Sequence, residues 1–189
     1  MAKPSEVYAR VSTHLDPGLA HLGYRAGAAR SFPWWYADDR GDRLFVSGQV
    51  DTKAIDPYAG GGFRLEFEKG AKGAVPNAKL AGRALFFQLL KDDELRMLVA
   101  RQNELIASLA GPPEAHVNAY PEFLRPQYLS YFQPQEAFDA VNSWLRYRAL
   151  GDVDRWMEIL VPLLPILDQR ARENLQANEM YLGRGRIPI

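Results

Sequence analysis

Hydrophobic and polar positions alternate most regularly in the stretch LFVSGQVDTKAIDPYAGGGFRLEFEKG, residues 44–70. Phe63, Leu65 and Phe67 alternate there with Arg64, Glu66 and Glu68, the period-two pattern of a strand with one buried face and one wet or paired face. A slip of one residue would bury three charges, so the register is well specified. Upstream, residues 32–37 and 43–50 flank the turn-forming run Ala37-Asp38-Asp39-Arg40-Gly41-Asp42 and predict a hairpin, with Pro33 suiting an edge strand. Together these strands predict an antiparallel meander of three to four strands with one face covered by helices.

Other segments carry helical spacing. Val7, Val11, Leu15, Leu19 and Leu22 give residues 5–22 one apolar face, with Ser5 as cap, Pro17 as a kink or restart and Gly23 as the left-handed terminator. Residues 78–90 are apolar on nearly all sides, broken mainly by Lys79, Arg83 and Gln88, which predicts a buried helix. Asp92 or Asp93 caps the next helix, whose stripe of Leu95, Leu98, Val99, Leu105, Ile106 and Leu109 includes Gln102. Gly111-Pro112-Pro113 ends it, and residues 115–134 read as an irregular aromatic connection. Residues 135–150 are amphipathic through Phe138, Val141, Trp144, Leu145 and Arg148, and a last helix spans residues 152–178, bent at Pro162 and Pro165. The expectation is an α+β fold in a single domain over residues 1–189, sheet-bearing to about residue 110 and all-helical from about residue 111.

Charge and composition narrow the function classes. Lys plus Arg and Asp plus Glu balance at 23 each, which leaves no global field for nucleic acid or an anionic membrane. No run approaches the roughly 18 apolar residues that a membrane helix needs, and residues 1–20 carry no apolar signal segment, so a cytoplasmic location is expected. Cysteine is absent, which removes disulfides, thiolate zinc sites, iron–sulfur ligation and a cysteine nucleophile together. Every basic residue after Lys91 is arginine, whose fork suits carboxylate and phosphate groups.

Candidate chemistry is sparse. Ala59-Gly60-Gly61-Gly62 invites a phosphate-loop reading, but these glycines run into a strand and not into a helix N-terminus, and no Gly-Lys-Ser follows. Asp51, Asp56, Glu66 and Glu68 supply four carboxylates, yet Glu66-Phe67-Glu68-Lys69 lacks the carboxylate-x-lysine spacing of a nuclease, and pairing with Arg64 and Arg83 is the simpler role. His14, His21 and His116 are too few and too poorly spaced for zinc, so no metal or cofactor is expected. Val46-Ser47-Gly48-Gln49 is not a nucleophile elbow. Gln49 and Gln102 sit in apolar surroundings and must find partners. If Gln49, Glu66, Glu68, Arg83 and Gln102 converge on a cavity, they form a ligand site between the sheet and the helices of residues 78–109. The aromatic groups Trp34, Trp35, Tyr120, Phe123 and Tyr128, with Arg125, have the composition of a protein-contact surface.

The order of leading helix, Gly23-Tyr24, aromatic strand, Gln49 on the next strand, then Gly62-Phe63-Arg64-Leu65-Glu66-Phe67 resembles the layout of small bacterial domain-of-unknown-function proteins, some of them suspected of roles in toxin immunity or defence. The resemblance covers the first 70 residues and brings no catalytic residue with it. The expectation is therefore a non-catalytic module that binds a protein partner or itself. Its alternative is a small-molecule-binding protein or enzyme using the polar group above.

Overall fold

A computed structural model describes residues 2–27, 34–39, 42–51, 56–70, 82–138, 143–175, 179–181 and 186–188. The chain opens with α1 (Pro4–His21), whose start is closed by the Lys3 backbone N–H donating to Glu6 Oε2 at 2.7 Å, two residues ahead of the expected Ser5 cap. Its face of Val7, Val11, Leu15 and Leu19 is fully buried, and each such side chain stabilises by about 2 kcal/mol. Pro17 stays inside an unbroken helix. Gly18 beside it lets α1 approach its neighbour closely, since a Cβ there would stand 3.0 Å from Leu164 Cδ1. Gly23, at φ +88°, ends the segment as the spacing predicts.

β1 (Arg25–Ala26), β2 (Trp34–Asp39), β3 (Asp42–Val50) and β4 (Gly61–Gly70) form the expected antiparallel meander. The register sets Val50 opposite Phe63, Gly48 opposite Leu65 and Val46 opposite Phe67 on the core face. Gln49 faces Arg64 and Ser47 faces Glu66 on the other.

The next segment departs from expectation. Residues 78–81 lie outside the described structure, and residues 82–89 are not helical but form β5 (Gly82–Leu85) followed by a single 3-10 turn, Phe86–Leu89. β5 pairs with β4, placing Arg83 opposite Glu68 and Ala84 opposite Phe67. A short apolar run bears no period that separates a buried strand from a buried helix, and here the pairing of Arg83 with a buried carboxylate decides.

Helix α2 (Asp92–Ala107) follows the predicted stripe. The aromatic connection contains two short helices, α3 (Glu114–Asn118) and α4 (Arg125–Ser130). The helix expected over residues 135–150 is not formed, its described part being non-helical up to Ala149: β6 (Leu145–Tyr147) pairs with Gly61–Phe63 of β4, on the edge that β5 occupies further along. Leu145 and Tyr147 enter the core while Arg146 takes the other face, a period-two pattern too short to be read from sequence.

The closing helix α5 (Leu150–Asn174) runs unbroken through the exposed Pro162 and Pro165, and residues 176–178 lie outside the described structure. β7 (Glu179–Tyr181) pairs in parallel with β5, and β8 (Arg186–Pro188) pairs with β7. The fold is α+β as expected, but among the described residues the sheet has eight strands rather than three or four, and the C-terminal half, expected to be all-helical, supplies three of them. α1 and α5 cover the core face, tied together by Asp154 with His14 at 2.7 Å and Arg10 at 3.5 Å. Among the described residues no helix is long and apolar enough to cross a membrane.

Candidate functional site

The residues proposed as a ligand site belong to three separate networks. Gln49 Nε2 donates to Glu66 Oε2 at 2.5 Å, and Gln49 Oε1 accepts from Arg64 Nε at 3.0 Å and Nη2 at 2.9 Å. Arg64 lies over the Trp144 ring at 4.4 Å and donates to Ser143 Oγ at 3.2 Å. One strand pair away, fully buried Glu68 meets Arg83 Nε at 3.2 Å. Gln102 is elsewhere again: Nε2 donates to the Trp144 carbonyl at 3.0 Å, and Oε1 accepts the Arg146 backbone N–H at 3.1 Å. Its amide thus completes the outer edge of β6 as another strand would. These side chains satisfy one another and the backbone.

A second constellation was not legible in the sequence. Asp56-Pro57-Tyr58-Ala59-Gly60 closes on itself, with Asp56 and Gly60 exchanging backbone hydrogen bonds at 2.9 and 2.8 Å. Glycine is required at position 60, where φ is +83° and a Cβ would lie 2.3 Å from the Tyr147 carbonyl oxygen. The Asp56 carboxylate accepts at Oδ1 from the N–H of Tyr58 at 2.8 Å and the N–H of Ala59 at 2.7 Å within this turn, and from the Tyr128 hydroxyl at 3.2 Å. At Oδ2 it accepts from His116 Nε2 at 3.0 Å and the Tyr120 hydroxyl at 3.3 Å. A carboxylate only accepts, so Nε2 carries the proton in this pairing.

Burial alone would raise the Asp56 pKa, but the donors from Ala59, His116, Tyr58 and Tyr128 outweigh it and hold the carboxyl below its ordinary value. Burial, reinforced by the Asp56 charge, pushes the Tyr128 and Tyr120 phenols up, so both stay protonated. With five donors on two oxygens, this carboxylate is committed to holding structure. It is not free to take a proton from a substrate.

What it holds is the excursion between α2 and β6. Tyr120 and Tyr128 stack at 4.4 Å, and His116 packs edge-on to Tyr58 at 4.7 Å. Arg125, proposed as a contact residue, turns back to donate to the carbonyls of Tyr120 at 3.1 Å and Asn118 at 3.2 Å. Tyr128 is buried and Tyr120 half-buried, so these two support the surface from beneath. Phe123 stands out at 79% exposure, flanked by exposed Leu124 and Leu129. The backbones of Trp34 and Trp35 lie on β2, opposite Ser47 and Val46; their side chains are outside the described structure.

Beside this excursion lies a cleft of about 160 Å³ between the glycines of residues 60–62 and the side of α4, with Tyr131, Trp144 and Arg146 among its lining. None of Gln49, Glu66, Glu68, Arg83 and Gln102 lines it. Among the described residues no three histidine, aspartate or glutamate side chains stand together so as to hold a metal ion. Comparison of the chain with known protein families, with curated proteins and with solved structures finds no match.

Proposed function

We propose that this protein is a non-catalytic binding module that presents Phe123, Leu124 and Leu129 to a protein partner. The observation that carries this reading is Phe123, 79% exposed on an excursion that three hydrogen bonds to Asp56, from His116, Tyr120 and Tyr128, hold against the sheet. A large apolar ring left in water forgoes roughly 2 kcal/mol of burial, and a tip whose backbone is already ordered binds with little further entropy loss. Aromatic anchors of this kind dominate the energetics of protein interfaces. In this reading the module is bacterial, as the resemblance of its first 70 residues implies, and works in the cytoplasm, as the lack of cysteine and of an apolar signal segment leads one to expect, and its partner offers an apolar groove.

Affinity capture with the wild-type protein and with the double variant Phe123→Ser, Leu129→Ser tests the reading, with sedimentation velocity run on both to detect self-association. Both positions are exposed, so the variant keeps its thermal midpoint. The reading expects a protein, or a second copy of this chain, that the wild type retains and the variant loses. Identical recovery from both contradicts it.

A further inference from the structure

Arg146 stands apart from the networks above. It lies at the centre of β6 and is 8% exposed, with its guanidinium 4.6 Å over the Tyr131 ring and Nη1 donating to the Tyr131 carbonyl. Among the described residues Tyr131 is its sole side-chain-directed partner, whereas a buried guanidinium is ordinarily held by a carboxylate that offsets the cost of desolvating the charge. Burial pulls its pKa down to about 10, still far enough above neutrality that the group remains a cation. The side chain borders the cleft beside the backbone of Gly60, Gly61 and Gly62, Gly62 being its cross-strand partner on β4.

We propose that this cleft binds the carboxylate group of a small monocarboxylic acid, with the Arg146 fork gripping both oxygens. Tyr131 fixes the plane of the guanidinium, so a planar two-oxygen acceptor meets a donor pair that is already oriented. Asp51 also lines the cleft and repels a second negative charge, which favours a monoanion over a phosphate dianion. The glycines add no side chain that would fill the space, and the cleft's volume suits an acid of a few heavy atoms. This site shares the α4 wall with the apolar tip but does not depend on it.

The test is titration of the intact protein with acetate, and separately with inorganic phosphate, at constant ionic strength maintained by chloride. The readouts are the NMR signals of Arg146 Nε–H and the Trp144 indole, together with the thermal midpoint. Acetate is expected to move both signals and raise the midpoint, and phosphate to do no more than chloride. In Arg146→Met the affinity for acetate falls at least about tenfold, while the acetate-free midpoint equals or exceeds that of the wild type because a buried charge with no carboxylate partner among the described residues is gone. Ser130→Phe, at an exposed position lining the cleft, blocks acetate with Arg146 intact and keeps the test decisive should Arg146→Met fail to fold. No acetate response in the wild type, equal affinity in Arg146→Met or Ser130→Phe, or phosphate binding as tightly as acetate would each overturn the proposal.

Discussion

Tyr147 shows how much a single group is constrained at the start of β4. Its ring fills the core across from Gly61, where a Cβ would stand 2.7 Å from the hydroxyl oxygen, and that hydroxyl has no hydrogen-bond partner among the described residues. Burial, with the charge of Asp51, pushes the phenol to about 12, so it remains a neutral hydroxyl with its desolvation uncompensated. Tyr147→Phe is therefore expected to stabilise the protein by about 1 kcal/mol in urea unfolding, and a loss of stability would show a missed partner. Asp56 behaves in the opposite sense. Its pKa is lowered on folding, so its stabilisation is complete above the ordinary value near 3.9 and is lost as pH falls through the folded value. Asp56→Asn should be less stable than the wild type at neutral pH, with the two stabilities converging below about pH 4. A gap that stays constant down to pH 2 would refute this assignment.

At the scale of elements, Gln102 does work that its place on an amphipathic stripe does not announce. It joins α2 to the outer edge of β6 through the Trp144 carbonyl and the Arg146 N–H, and Gln102→Leu leaves both buried backbone groups unpaired. The expected loss is about 3 kcal/mol by chemical denaturation, against less than about 0.5 kcal/mol if water replaces the amide. The same element shows why part of the fold was legible and part was not. β3 and β4 are long enough for alternation to fix type, face and register, and α1, α2 and α5 carry apolar stripes over several turns. β5 has four residues and β6 three, and both owe their state to the exposed edge of β4 and not to their own period. The apolar surroundings of Gln49 and Gln102 mark both as amides in need of partners, and both have them. Asp56 and His116 stand 60 residues apart, and no local signal joins them.

Across the whole molecule, two kinds of surface follow from one architecture. The core face of the meander packs against α1 and α5 in one buried hydrophobic cluster. The excursion from residue 111 to residue 135 is fastened to it mainly through polar groups, with Asp56 as the shared acceptor, and so forms an element that can loosen on its own. This separate fastening is what lets the chain hold Phe123 in water without unravelling the sheet.

Hydrogen exchange on the Asp56→Ala variant at neutral pH tests that claim most directly. Amides of residues 114–130 are expected to exchange at least about tenfold faster than in the wild type while those of β3, β4, α1 and α5 keep their protection. Acceleration spread evenly over the chain, or none in residues 114–130, would contradict it.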